Sequence, residues 1–193
     1  MAATYACNSL HRSTRVTPMA LEHALLVALR ERPASGLELA RRFDRSIGFF
    51  WHATHQQIYR VLARMAGDGW LTVETIAQSG KPRKLEYAVS AVGERELADW
   101  LTRPTTIDPL RSELAVKMRG ASYGDRRAVR VLVEQHLAEH RSRLATYHQM
   151  AAAQYPDPDS LAGADLDRYL VLRGGVRMEE FWIAWLTDYT EAT

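Results

Sequence analysis

Residues 54–89 decide the fold of this chain, and they read THQQIYRVLARMAGDGWLTVETIAQSGKPRKLEYAV. Ile58, Leu62 and Met65 are spaced four and three residues apart, which predicts a helix with one buried face. Thr54, followed three residues later by Gln57, has the pattern of a capping box. The helix is therefore expected to begin at Thr54.

Two β-prone runs follow that helix, at residues 70–76 and residues 85–89. The segment between them contains Gly80 and Pro82 and carries three cations in its last four positions. Because glycine and proline between such runs are typical of a turn, the simplest interpretation is a hairpin with a basic tip.

Helical patterns flank this stretch on both sides. The apolar positions before it are Leu21, Leu25, Leu26 and Leu29, then Leu37, Leu39, Ala40 and Phe43. After it, Ser90 is expected to cap a further helix that ends near Leu101. Three helices followed by a two-stranded hairpin predict a mostly α chain that begins with a winged helix-turn-helix domain.

A domain of this kind meets DNA with a helix and with a wing. Unpaired N–H groups at a helix N-terminus attract phosphate, and glutamine and arginine hydrogen-bond base edges in the major groove. The predicted DNA-binding residues are Thr54, His55, Gln56, Tyr59 and Arg60 on the third helix, and Lys81, Arg83 and Lys84 on the wing. The alternative interpretation is that both are ordinary solvated surfaces.

Several motifs of the front half occur in register over about 80 residues. They are LLVAL at 25–29, PASGLEL at 33–39, FFW at 49–51, HQQIYRVL at 55–62, DGWL at 68–71 and GKPRKLEY at 80–87. Together they resemble the PadR (phenolic-acid-responsive) transcriptional regulators. The resemblance implies a dimeric DNA-binding regulator, usually a repressor, of the longer-tailed subfamily. Met65-Ala66 departs from the family, which usually has Leu-Glu at this place.

The back half is expected to form a dimerisation arm of two long helices. Residues 125–154 contain neither proline nor glycine, and Asp125 can cap their start. Their apolar seam, with coiled-coil spacing, consists of Val133, Leu137, His140, Leu144, Tyr147 and Ala151. A second helix, from about Asp165 to Tyr189, has the apolar positions Leu166, Tyr169, Leu170, Val176, Phe181, Trp182, Trp185 and Leu186. Two helices cannot bury both faces alone, so we expect a homodimer.

The chain is thus divided into a flexible N-terminal arm at 1–18, a winged helix-turn-helix domain at 19–104 and a helical dimerisation domain at 105–193. Residues 1–105 carry 14 Lys and Arg against 10 Asp and Glu, whereas residues 106–193 carry 11 against 13. This asymmetry favours a polyanionic partner, double-stranded DNA, at the front half.

Two features of the sequence allow a second interpretation. HLAEH at residues 136–140 matches the H-x-x-E-H string of inverted zinc peptidases. Because His140 falls in the apolar seam and no third ligand is evident, we expect a packing histidine and no metal. Trp51, Trp182 and Trp185 are most simply core or interface residues, and stacking of a small aromatic effector on them is the alternative.

Composition and motifs exclude several other classes. The chain has 193 residues, 47% of them hydrophobic and 25% charged, as in ordinary foldable proteins. Its single cysteine, Cys7, excludes a disulfide framework and indicates a reducing compartment, so we expect a cytoplasmic protein. No apolar run is long enough to span a membrane.

The sequence contains no nucleophile elbow, Walker loop or G-x-G-x-x-G motif, so we expect neither an enzyme nor a cofactor. The predicted function is a sequence-specific DNA-binding transcriptional regulator, a homodimeric repressor of a palindromic operator that a small aromatic effector releases. The alternative is a winged-helix protein-interaction adaptor that binds no operator.

Overall fold

A computed structural model of the protein describes residues 19–44, 53–76, 84–105, 107 and 110–193. Its backbone divides into two compact units, Met1–Thr105 and Thr106–Thr193. The predicted fold class, a mostly α chain with a winged helix-turn-helix followed by long helices, is confirmed. Within the described ranges, we find no helix with the length and apolar character needed to cross a membrane.

The described part of the first unit contains four helices and three strands. In chain order they are α1 (Met19–Glu31), β1 (Ala34–Ser35), α2 (Gly36–Asp44), α3 (His55–Gly67), β2 (Leu71–Ile76), β3 (Lys84–Val89) and α4 (Ala91–Leu101). The strands form one antiparallel sheet in the order β1-β3-β2. The short strand β1 has no signal in the sequence, and it pairs Ala34 with Tyr87 of the wing.

The apolar stripes of α1, α2 and α3 meet in one core, as their spacing predicts. The residues exposed by at most 1% in this core are Leu25, Leu26, Leu29, Leu39, Ala40, Phe43, Ile58, Leu62 and Met65. Leu37 is an exception, since it is predicted with the buried residues of α2 but is exposed. It lies two residues before Leu39, which turns it to the opposite side of the helix.

Gly93 lies in the first turn of α4, against the backbone of Trp70. A Cβ added at Gly93 would overlap the carbonyl oxygen of Trp70, which accepts from the N–H of Ser90 at 2.9 Å. Because that oxygen belongs to the backbone, it cannot turn away. We expect Gly93→Ala to lower the free energy of unfolding by about 1–3 kcal/mol, as measured by urea denaturation.

Gly67→Ala is the matched control, since an added Cβ there meets nothing within 4 Å. Its stability is expected to be unchanged or higher, because alanine is the better helix former. Equal stability of Gly93→Ala and the wild type would contradict the close approach of α4 to Trp70.

The second unit is built on a pair of long antiparallel helices. Its helices are α5 (Glu113–Gly120), α6 (Arg126–Gln154) and α7 (Gly163–Ala192), with single 3₁₀ turns at Ala121–Tyr123 and Pro158–Ser160. Asp125 caps α6 as predicted, because its carboxylate accepts from the N–H groups of Arg127 and Ala128 at 2.9 and 3.1 Å. The core of the unit joins α5, α6 and α7 through Leu114, Met118, Val133, Leu137 and Leu186.

Two expectations for these helices need correction. The seam of α6 is not left for a partner, because its residues Val133, Leu137 and Tyr147 are buried within the same chain, where α6 packs on α7. The inward face of α7 consists of Leu172, Gly175, Glu179 and Leu186, whereas Leu170 and Phe181 of its predicted apolar face are exposed. Hydrophobicity alone does not mark this face, because it includes a glycine and a glutamate.

Candidate nucleic-acid interface

The N-terminus of α3 is held by the predicted capping box. The N–H of Gln57 donates to the hydroxyl of Thr54 at 3.2 Å, and the N–H of Thr54 donates to the side-chain oxygen of Gln57 at 2.8 Å. The side-chain oxygen of Gln57 is therefore engaged in this reciprocal pair of hydrogen bonds. Of the two neighbouring glutamines, Gln56 is exposed and takes no part in the capping box.

The predicted helix residues His55, Gln56, Tyr59 and Arg60 lie together on the exposed side of α3. Gln56 and Arg60 are four residues apart, as are His55 and Tyr59, so each pair consists of neighbours on the helix surface. Ile58 anchors the opposite side in the core. An amide beside a guanidinium is a combination that can hydrogen-bond base edges in the major groove.

Tyr59 connects this exposed face to the start of α2. A Cβ added at Gly36 would overlap the Tyr59 ring, so the ring lies directly over the first turn of α2. The ring is still 45% exposed. Glycine at position 36 thus permits Tyr59 to cover this turn.

Lys84, a predicted phosphate ligand on the wing, has a partner within the domain. Its ammonium group donates to the carboxylate of Glu38 in α2, with Nζ 2.9 Å from each oxygen. The same carboxylate accepts from the N–H and the hydroxyl of Ser35 at 3.1 and 2.9 Å. These hydrogen bonds, from Lys84 above all, lower the pKa of Glu38 to about 2. The S-x-x-E pattern of residues 35–38 is a capping-box signal that sequence reasoning missed.

The Glu38 ion pair makes part of the stability depend on pH. The folded-state pKa of Glu38 is about 2, against an ordinary value of 4.5. The stabilisation of the folded state by the ionised carboxylate is therefore complete above about pH 4.5 and is lost as the pH falls toward 2. The Glu38 side chain is 48% exposed, which limits this contribution to about 1 kcal/mol or less. We expect Glu38→Gln to be less stable than the wild type in urea at pH 7, by a margin that narrows from pH 5 to pH 3. A constant margin would contradict the assignment.

Other predicted residues lie elsewhere. Arg64 of α3 forms an ion pair with the buried Glu22 of α1, so it links two helices of the core. Lys81, Arg83 and Trp51 lie outside the described residues.

The second unit contains a cavity of about 350 Å³. Its lining combines the apolar side chains of Leu110, Leu114, Leu132 and Trp182 with two cations, Arg111 and Lys117, and two histidines, His136 and His140. Glu113 and Ser112 complete it. Such a mixture suits a flat apolar molecule that carries a negative charge. Of the two tryptophans of α7 singled out in the sequence, Trp182 is among these lining residues and Trp185 is not.

A buried glutamate organises one wall of this cavity. Glu179 accepts from Nδ1 of His140 at 2.5 Å and from Arg143 at 3.2 Å, so both carboxylate oxygens have a donor. The His140 ring stacks on Trp182 with 5.3 Å between centroids. Burial and the Glu179 charge raise the pKa of Tyr147.

His140 of the HLAEH stretch thus stacks on Trp182 and hydrogen-bonds Glu179. In the described part of the chain, no three His, Cys, Asp or Glu residues are arranged to hold a metal ion.

A capped third helix with an exposed polar face, beside a sheet that supplies a two-stranded wing, defines a winged helix-turn-helix regulator. Residues 25–99 match the transcriptional regulator PadR-like family, and residues 110–192 match the family described as virulence activator alpha C-term. The chain belongs to the PadR-like family of transcriptional regulators. The resemblance drawn from the motifs is confirmed, and so is the prediction of a regulator rather than an enzyme.

Relatives match both units. The chain is 47% identical to a probable transcriptional regulator of Mycobacterium tuberculosis over 184 residues, which cover 90% of this chain and 97% of the relative. It is 30% identical to the negative transcriptional regulator PadR of Bacillus subtilis over 171 residues, which cover 86% and 93%.

Solved structures of two relatives have the same fold. Bacillus subtilis PadR in complex with operator DNA gives a TM-score of 0.78 at 28% identity, covering 90% of this chain and 98% of that one. The same PadR in complex with p-coumaric acid gives a TM-score of 0.73 at 27% identity, covering 89% of this chain and 97% of that one. The Vibrio cholerae virulence activator AphA gives 0.73 at 28% identity, covering 89% and 96%.

Proposed function

We propose that this protein is a cytoplasmic, homodimeric repressor that binds a palindromic operator. Residues 19–104 would contact DNA, residues 105–193 would join the protomers, and residues 1–18 would form a flexible arm. The observation that carries the proposal is the exposed face of α3, where Gln56 and Arg60 lie one turn apart. The relative PadR, a negative regulator whose structure contains operator DNA, supports the repressor role.

On this proposal α3 enters the major groove, where some of its residues contact bases and others contact phosphates. Gln56 and Arg60 read base edges, while Thr54, His55 and Tyr59 lie near the helix N-terminus, where phosphate is favoured. Lys81 and Arg83, on the wing, contact phosphates of the DNA backbone.

An apolar stripe on α7 supports the homodimer. Its members, spaced three, four, three and four residues apart, are Val171, Gly174, Met178, Phe181 and Trp185. Val171, Met178 and Phe181 are 57%, 56% and 55% exposed. A run of exposed apolar residues is typical of an interface. Trp185, at its C-terminal end, is half-buried against the core of the same unit. The occupant we propose is α7 of a second copy, because a palindromic site requires two-fold symmetry in the protein.

The test is to select fragments of the source genome with the full-length chain and to measure binding of the shared sequence by fluorescence anisotropy. We expect one dimer per palindrome and an affinity that falls steeply with added salt. No binding to any duplex at low salt would overturn the proposal and leave the interaction adaptor as the function.

We also propose that the cavity of the second unit takes the small aromatic effector that releases the operator. Trp182 and the stacked His140 supply a flat wall, and Arg111 supplies positive charge for an acid group, whereas Lys117 is paired with Glu113 at 2.7 Å. The p-coumaric acid complex of the relative PadR supports an aromatic acid. Trp185 lies on the apolar stripe of α7, which suits an interface better than a ligand.

The effector proposal is tested by titrating the dimer with aromatic acids while tryptophan fluorescence is recorded. The chain has five tryptophans, so Trp182→Phe identifies the signal from this wall. We expect quenching that this substitution removes, and weaker operator binding at saturation. A compound that binds while leaving operator affinity within about twofold would contradict the coupling between the two sites.

A further inference from the structure

We propose that the ion pair between Glu38 and Lys84 is a positioning element, which fixes the wing relative to α3, and that Lys84 serves this pair rather than a DNA phosphate. The inference rests on the proposed function, because its consequence is discrimination between operator and random DNA. Nothing in the sequence pattern separates Lys84 from the two wing cations that precede it.

The first observation is that one carboxylate joins three elements. Glu38 belongs to the first turn of α2, and it accepts from Ser35 of β1 and from Lys84 of β3. Lys84 reaches both carboxylate oxygens at 2.9 Å, and its side chain is only 25% exposed. A lysine poised for phosphate would extend into solvent, whereas this one is held against the domain.

The second observation is where this connection sits on the wing. Lys84 pairs with Ile76 in the last described register position of the β2–β3 ladder, the pair farthest from α4. β1 pairs farther along β3, where Ser35 lies opposite Glu86 and Ala34 opposite Tyr87. The Glu38 contact therefore fixes the wing strands beyond the point where β1 stops supporting them.

The third observation is that the same turn of α2 also contacts the recognition face. The ring of Tyr59 in α3 lies over Gly36, two residues before Glu38. One turn of α2 thus contacts both the wing, through Glu38, and α3, through Tyr59. If the ion pair is removed, the tip-side end of β3 loses its side-chain connection to α2, while the β1–β3 pairing farther along the strand remains.

Charge gives a further reason to assign Lys84 to this pair. If Lys84 turned to a phosphate, the Glu38 carboxylate would remain without its main cation, close to a polyanion. Lys84 would then exchange its attraction to Glu38 for an attraction to phosphate, and the unpaired Glu38 carboxylate would repel the DNA. The exchange therefore brings no net gain in binding free energy. Keeping the pair intact leaves the phosphate contacts to Lys81 and Arg83.

The test is a double-mutant cycle on the full-length dimer with Glu38→Gln, Lys84→Met and the double variant. Binding to the operator and to a random duplex is measured over a salt series, well below the melting temperature of each variant. We expect each single substitution to lower the operator-to-random ratio about tenfold, and the double variant to lower it no further. The salt slope of Lys84→Met should equal that of the wild type, because no phosphate contact is lost.

Glu94→Gln is the matched control, since it removes the same charge from an exposed ion pair, between Arg30 of α1 and Glu94 of α4. Its operator-to-random ratio should not change. Ser35→Ala removes a donor to Glu38 without changing charge, so an intermediate loss of the ratio is expected even if a charge variant folds poorly.

The proposal is overturned if Lys84→Met weakens operator and random duplex equally and reduces the salt slope by about one unit per protomer, since that is the behaviour of a phosphate ligand. Additive losses of the ratio would overturn it as well. Failure of the wild type to bind any operator would instead refute the proposed function, so the two failures are distinguishable.

Discussion

Replacing Phe181 by aspartate should convert the protein into a monomer and weaken operator binding by about 100-fold or more. Phe181 is the fourth of the five residues of the stripe on α7, and its ring is 55% exposed and packs near Trp182 and Trp185 of the same helix. A carboxylate at this point would have to lose its water in the dimer interface, which is unfavourable without a cationic partner. Two half-sites would then no longer be bound as a unit.

Sedimentation equilibrium at micromolar concentration and operator titration measure the two consequences. Ala184→Asp is the matched control, because position 184 is exposed on the same helix but outside the stripe. The control should remain dimeric and bind normally. If Phe181→Asp remained a dimer of unchanged affinity, the interface would lie on another surface of the chain.

The helices of the first unit could be predicted because their signals are local. The three- and four-residue spacing of Ile58, Leu62 and Met65 depends only on which face is buried, and the structure buries all three. The caps at Thr54, Ser90 and Asp125 are equally local, since each side chain bonds to backbone within three residues. For this reason the N-terminal ends of α3, α4 and α6 agree with the predictions.

Contacts between distant residues could not be predicted from such patterns. Glu38 and Lys84 are 46 residues apart, and a wing lysine has the same sequence signal whether it meets a carboxylate or a phosphate. Glu179 is buried where His140 and Arg143, on another helix, supply hydrogen-bond donors to its two carboxylate oxygens. Hydropathy assigns such a glutamate to the surface, so the predicted face of α7 omits the buried Leu172 and Glu179 and includes Leu170 and Phe181, which are exposed.

Replacing Gln56 by alanine should weaken operator binding by roughly 30-fold or more while random duplex is bound as before. Two bonds from a glutamine to a base edge contribute about 1–3 kcal/mol of discrimination, and a dimer loses them in both half-sites. Gln56 is exposed on α3 one turn before Arg60, so its removal leaves the core of the domain intact. The measurement is the ratio of operator to random affinity at a fixed salt concentration.

The neighbouring glutamine supplies the control for this experiment. Gln57 has the same side chain, but its oxygen accepts from the N–H of Thr54 in the capping box. Gln57→Ala should therefore lower the free energy of unfolding by about 0.5–2 kcal/mol and leave the operator-to-random ratio nearly unchanged. Opposite results, with Gln57→Ala losing discrimination and Gln56→Ala keeping it, would mean that α3 meets DNA with a different face. An unchanged ratio in both variants would mean that neither glutamine reads the operator, and base recognition would then have to come from Arg60 or from the wing.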